Sequence, residues 1–445
     1  MSPHLPEVRN LKELLEPVLE PGNKVIGFSS KSLTAPGDNY GSTMLALTVD
    51  IVSETDESSK QRRRWVRSCP IFCCRKCINM KQWNIAPKQI HVVAKMRPTS
   101  EEFLDIFQIH ITFAMEAALY TEIVPVLVGL QRELGCPENR TIDVFSRCYN
   151  ARVSLDPESS KVDADGVILF ENLKTAGFVT GNRRKGFPRD TADFVLKKLS
   201  LFHALPVVLR YRKPDVFENR VNKYLVQIDI DAGLGGETIA QMIEVLRVDL
   251  GKAGIEEPQA GRIMELVKSC RHRQANLVAD ELNEYTSMLH NDLWVNNMMI
   301  KYDSKNRPSE LKFVDFQLIQ LNSLVRDVLF FIFTSVTESD FEEHVDTYLR
   351  NYFDYFRQQL AELQCPCLEK YTFVGFLEEV NRIAPREFYH IVSMLRVVLA
   401  RKESIPEQSD LDAQVFCNDN LVEKDYFDRL AMVVQIYDRK GWIGA

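Results

Sequence analysis

The sequence predicts an α+β chain of two lobes, β-rich first and mainly helical afterwards. Three observations carry this. Strand-length β-branched runs crowd the residues before 170. Apolar residues at three- and four-residue steps dominate beyond Thr175. No internal repeat or low-complexity linker interrupts the order, so the division falls at 1–170 and 171–445.

The elements follow in turn. Leu11, Leu14, Leu15, Val18 and Leu19 have the spacing of a short amphipathic helix. Val25–Ser29 and Met44–Val52 read as two strands around the turn-rich string Ala35–Ser42, and Ile90–Lys95 as a third. A helix is predicted over Glu101–Glu122, with Phe103, Ile106, Phe107, His110, Phe113, Ala114 and Ala117 as its apolar stripe. Thr141–Val153 and Gly166–Leu173 are further strand candidates. Helices are then expected over Asp190–Ala204, Gly235–Lys252, Asp340–Leu363 and Glu423–Gly441, with strand-like exceptions at Asn297–Lys301 and Lys312–Phe316.

Composition narrows the function. With 445 residues, 45% hydrophobic, and a formal net charge of -7, the chain has ample core material, and its charge argues against a basic nucleic-acid binder while leaving room for a local patch. No window reaches the roughly 18 uninterrupted apolar residues of a spanning helix. The richest, Val325–Phe333, contains Arg326 and Asp327. Met1–Glu20 has no apolar leader core, and the ten cysteines form no framework pattern. A cytoplasmic monomer with reduced thiols and no membrane association is the expectation. Gln61–Trp83 stands apart, with Cys69, Cys73, Cys74 and Cys77 among basic residues. Cys74 and Cys77 have zinc-knuckle spacing, but no second pair follows, so the stretch reads as a surface insertion or a segment absent from the mature protein.

The sharpest string is His290-Asn-Asp292-Leu-Trp-Val-Asn-Asn297, followed by Phe313-Val-Asp315-Phe-Gln317. Phosphoryl transfer from ATP to a hydroxyl needs one carboxylate to take the proton of the attacking oxygen. It also needs an amide and a second carboxylate to hold Mg²⁺ against the phosphates. In the kinase catalytic loop the Asp and Asn stand about five positions apart, and Asp292 and Asn297 share that spacing. Asp315 opens Asp-Phe-Gln where kinases have Asp-Phe-Gly. Alone, Asp292 reads more readily as a helix cap or Asx turn and Asp315 as a strand-end turn residue; the ordered pair with its internal spacing reverses the balance. Upstream, Val92-Val93-Ala94-Lys95 supplies a strand lysine for the phosphates, and Glu116 on the next helix is its candidate partner. Glu101 and Glu102 are rivals at the helix start. Gly37 and Gly41 would let backbone N–H groups approach phosphates, with Ser42 as an added donor, although an ordinary hairpin turn fits as well.

Read together, Pro36-Gly-Asp-Asn39-Tyr, Lys95, Glu116 with Tyr120 and Pro125, Phe170-Glu-Asn-Leu173, Phe202-His-Ala204, His290–Asn297 and Asp315-Phe-Gln317 resemble the ecdysteroid kinase-like family. The resemblance runs from Asn23 to Gly441. It implies a bilobal kinase-like fold, related to choline kinases and aminoglycoside phosphotransferases, and ATP- and Mg²⁺-dependent phosphorylation of a small-molecule alcohol such as an ecdysteroid. It further implies that Gly37, Asn39, Gly41 and Ser42 belong to the phosphate loop, and Glu171 and Leu173 to an adenine-facing hinge. The chain departs from the family pattern at Asn291, where the family has a glycine, at Phe170 and Asn172 of a hinge that is usually Leu-Glu-Asp-Leu, and in the Gln61–Trp83 insertion. His203 and Asp327 read as structural, His290 as a brace of the catalytic loop, Trp294 as pocket wall or core, and Tyr348–Phe356 as core. A binding protein that kept the fold without turnover is the alternative.

Overall fold

The computed structural model describes residues 6–33, 42–53, 88–98, 104–105, 108–228, 235–274, 282–404 and 417–444. The insertion at Gln61–Trp83, with its four cysteines, lies outside the described residues, as do Glu101 and Glu102.

Helix α1 (Leu11–Leu15) passes into a 3-10 turn, Glu16–Val18, short of the predicted end at Leu19. Pro17 withholds the N–H that another α-turn would need. Five strands then build one antiparallel sheet: β1 (Asn23–Ser32), β2 (Thr43–Ser53), β3 (Lys88–Met96), β4 (Cys148–Arg152) and β5 (Val167–Glu171), in the order β1-β2-β3-β5-β4. Side-chain alternation sorts them by face. Leu45, Leu47, Val49, Val92, Ala94 and Leu169 pack with α1 in a small core behind the sheet, while Val93, Ile168 and Phe170 face the main core. Lys95 has the parity of Val93, so it points to the opposite side from Ala94.

Two predicted elements change. The strand expected over Thr141–Val153 shrinks to β4, because the Ile142 N–H goes to the Gln131 side chain at 2.8 Å and Val144 O accepts from Phe313 N at 2.7 Å. The helix expected to stop at Glu122 runs on as α2 (Ile109–Glu133). Pro125 neither donates an amide hydrogen nor tolerates a carbonyl one α-turn before it. A π-turn over Leu119–Ile123 widens the helix just ahead of it and absorbs both defects. By length and composition α2 could cross a membrane. Its apolar residues Leu119, Ile123, Leu127 and Leu130 are buried in the main core instead.

The second half is helical around two small sheets. β6 (Val179–Thr180), β8 (Met298–Tyr302) and β9 (Pro308–Phe313) form one, and β7 (Thr286–Leu289) pairs with β10 (Gln320–Ser323) in the other. The strand predicted at Lys312–Phe316 is therefore displaced towards the N-terminus, leaving Asp315 in the turn beyond it. α3 (Arg189–Arg212) continues past the expected Ala204 and through Pro206, held by buried Leu205, Val207 and Val208. The remaining α-helices among the described residues are α4 (Pro214–Arg220), α5 (Gly236–Lys252), α6 (Glu257–Gln274), α7 (Val325–Ser335), α8 (Glu338–Glu362), α9 (Phe373–Val398) and α10 (Lys424–Arg439). α9, capped by Thr372 Oγ1 on Gly375 N, was not predicted from the sequence, nor was the strongly charged α6. Tyr348, Tyr352, Phe353 and Phe356 of α8 are buried core residues.

Candidate active site

A cleft of ≈ 520 Å³ is lined by Lys95, Glu116, Glu171, Leu173, Asn297 and Asp315 among the predicted residues. Strand β3 sets Lys95 opposite Met44 on β2 and Ile168 on β5, deep in the sheet. Its ammonium is 3% exposed and meets Glu116 Oε2 at 2.5 Å and Asp315 Oδ1 at 2.6 Å. Burial pulls the pKa of this lysine down, but the Asp315 and Glu116 carboxylates outweigh it and hold the pKa above its ordinary value. Burial raises that of Glu116, against the pull of Lys95. Glu116 Oε1 also accepts from Phe316 N at 3.3 Å, so one carboxylate joins α2, β3 and the turn after β9.

The loop between β7 and β8 carries the other pair. Asn297 Nδ2 donates to both the backbone oxygen and the Oδ2 of Asp292, each at 2.8 Å. That commits the amide nitrogen and leaves the amide oxygen as the atom Asn297 can offer a cation. Burial, and next the charge of Asp315, push the Asp292 carboxyl up to about 8, against hydrogen bonds from Asn297 and Trp294. Asp292 is half-buried, so its partial exposure moderates this rise.

The loop is latched from behind. Asp327, 1% exposed at the start of α7, accepts from His290 N at 2.7 Å and Asn291 N at 2.8 Å. His203 of α3 reaches Asp327 Oδ2 at 3.2 Å and the Tyr352 hydroxyl at 2.7 Å. Although burial opposes it, the hydrogen bond and charge of His203 keep the Asp327 carboxyl below its usual range. His290 Nε2 sits 3.0 Å from Val314 O, which ties the loop to the residue before Asp315, and burial depresses its pKa. Asn291 adopts φ 64, the left-handed region that glycine, and asparagine more readily than most other residues, can enter. Asn172 caps its own turn, its Oδ1 accepting from Lys174 N at 3.1 Å, a task an aspartate performs equally.

Mg²⁺ asks for hard oxygen donors and usually completes its octahedron with water and phosphate. Asp315 and the Asn297 amide oxygen fit that demand, and no group of three or more His, Cys, Asp or Glu among the described residues makes a self-sufficient metal cage. Gly37, Asn39 and Gly41 lie outside the described residues. Ser42 is buried at the head of β2 and is not among the described residues lining the cleft. Sequence reasoning missed Ser146, Lys174, Asn182 and Arg183 in the cleft wall. Arg183 reaches across to the end of α9, where it donates to Val397 O at 2.7 Å and Ala400 O at 2.6 Å. Gly181, in the same strap, has no space for a Cβ, which would lie 2.5 Å from the Phe187 ring and 2.8 Å from Val295.

The profile of the ecdysteroid kinase-like family matches residues 36–365. The chain belongs to the ecdysteroid kinase-like family. The match encloses every predicted site residue, from Gly37 to Asp315. Nothing matches among curated proteins. Among solved structures, a point mutant of aminoglycoside 2'-phosphotransferase IIIa in complex with GDP aligns over 82% of this chain and 95% of its own, at 13% identity and a TM-score of 0.34. As a member of the ecdysteroid kinase-like family, the chain is a kinase-like protein of the small-molecule phosphotransferase type with a two-lobed α+β fold.

Proposed function

We propose that this ecdysteroid kinase-like chain transfers the γ-phosphoryl group of ATP, with Mg²⁺, to the hydroxyl of a small molecule of the ecdysteroid or xenobiotic-alcohol kind. One observation carries the reading: Lys95 is bonded at once to Glu116 and Asp315 in the wall of the same cleft that receives Asn297, the partner of Asp292. Lys95 would draw in phosphate charge, with Glu116 fixing its position. Asp292 would orient the acceptor hydroxyl and take its proton as the new P–O bond forms and the bond to the ADP oxygen breaks. A carboxyl pushed up to about 8 is well matched to proton transfer near neutral pH. Mg²⁺, held by Asp315 and the Asn297 oxygen, would offset charge on the phosphates. The hinge at Glu171–Leu173 would offer backbone groups to the adenine.

A panel of sterol and xenobiotic alcohols incubated with ATP and Mg²⁺, read by mass spectrometry for an added phosphate, tests the proposal. A phosphorylated product that vanishes when Mg²⁺ is chelated and with Asp292→Asn supports it. Product formation by Asp292→Asn at the wild-type rate would remove Asp292 as the base.

A further inference from the structure

Outside the cleft lining, Cys365-Pro-Cys367 joins the end of α8 to a 3-10 turn over Leu368–Lys370. Gln364 takes φ 53 and Cys365 N reaches back to Leu360 O at 2.8 Å, so the helix is closed just before the first thiol. The two sulfurs sit 3.7 Å apart, with Cys365 8% and Cys367 7% exposed. No set of three or more His, Cys, Asp or Glu among the described residues gathers around them. A structural zinc needs about four ligands, so thiol chemistry rather than metal binding suits the pair.

We propose that Cys365 and Cys367 are a modification site, a dithiol that closes to a reversible intramolecular disulfide on reaction with a small hydroperoxide. The inference does not rest on phosphoryl transfer. Closure from 3.7 Å to a bond of about 2.05 Å asks for side-chain rotation and a modest shift of a loop. One thiolate attacks the peroxide, whose O–O bond breaks to leave a sulfenic acid and hydroxide. The second sulfur then displaces the sulfenic oxygen as water, so two electrons and two protons leave the dithiol and one hydroperoxide is consumed. Burial favours a small oxidant over a bulky disulfide. Burial also pushes the Cys365 thiol up to about 11, while the Cys367 backbone N–H favours its thiolate. The first step should therefore accelerate with pH across the neutral range.

Trypsin releases both cysteines, and no other, in residues 358–370. The reduced full chain is treated with hydrogen peroxide, at a dose that oxidises glutathione in the same tube, then alkylated and digested. The expected result is a peptide lighter by two hydrogens and carrying no alkyl group, restored by dithiothreitol. Cys367→Ser should instead give a Cys365 sulfenic acid trapped by dimedone, an adduct absent from the wild type; Cys365→Ser is the reciprocal variant should the first fail to fold. A doubly alkylated peptide after oxidation, stable dimedone adducts in the wild type, or bonding of either thiol to another cysteine would each overturn the proposal.

Discussion

Lys95 brings one positive charge to two carboxylates, and all three groups share a site from which water is largely withdrawn. Removing the lysine leaves Glu116 and Asp315 without their shared counter-charge. Lys95→Met is therefore expected to lower stability by about 3 kcal/mol, partly relieved by protonation of Glu116, and to abolish turnover. Denaturant titration and a transfer assay read the two effects. Asp292 behaves oppositely. Its folded pKa of about 8 stands above the roughly 3.9 of an unfolded aspartate. The folded state thus keeps a proton that the unfolded state releases, and stability falls as pH rises through that window. Asp292→Asn should melt like the wild type near the acidic end and at a higher temperature at the alkaline end, while transferring no phosphate. Equal melting temperatures at both ends would contradict the raised pKa. Spacing alone made Asp292, Asn297 and Asp315 legible, since they follow one another in a fixed order. The contact between Lys95 and Asp315 was not legible, because it spans 220 positions and depends on the closure of the cleft.

At the scale of elements, backbone conformation and close approach decide what can be replaced. Gly186 has φ +75, and a Cβ there would lie 2.8 Å from the Val336 backbone. Gly186→Ala should destabilise the chain by about 1–3 kcal/mol, measured by thermal or denaturant unfolding. Asn291, at φ 64, tolerates glycine in principle. Asn291→Gly should keep turnover and stability within about 1 kcal/mol of wild type, whereas Asn291→Ala should lose about 1 kcal/mol, since Ala lacks the side chain that eases αL. The strands β1, β2, β3 and β5 were readable because alternating, β-branched runs match half-buried sheet positions. The ends of α2 and α3 were not, because Pro125 and Pro206 signal termination locally while burial on both sides pulls the helix through. The cleft-lining strap with Asn182 and Arg183 was also hidden: a string of Gly, Asn, Arg and Lys reads as a solvated turn until Gly181 is seen against Val295.

At the scale of the molecule, Asp327 links α7, the loop between β7 and β8, α3 and, through His203, α8. Asp327→Ala strands two backbone N–H groups and a histidine, and should cost about 3 kcal/mol or more, seen as an earlier unfolding midpoint. Its depressed folded pKa means the latch contributes fully above the ordinary aspartate range and weakens as pH falls through the folded value. The depressed pKa of buried His290 adds in the same direction, since the unfolded imidazole gains its proton first as pH falls below about 6.5. Acid should accordingly loosen the loop between β7 and β8 before α10 or the sheet unfolds, a sequence hydrogen exchange can resolve. The α+β order of the chain was visible in its periodicities, but not the assignment of Asp327 as a hub linking three helices.

The double allegiance of Lys95 also sets an order of occupancy. Asp315 already shares a resident ammonium with Glu116, so a free divalent ion entering first would compete with that lysine for the same carboxylate. Under the proposed function, phosphate oxygens would give Lys95 another anion to serve and would release Asp315 for the cation. Nucleotide and ion should thus show positive heterotropic linkage, each tightening the other by the same factor. Calorimetric titration with Mg²⁺ alone, with ATP alone and with both would display it, and independent affinities would show that the lysine never has to choose.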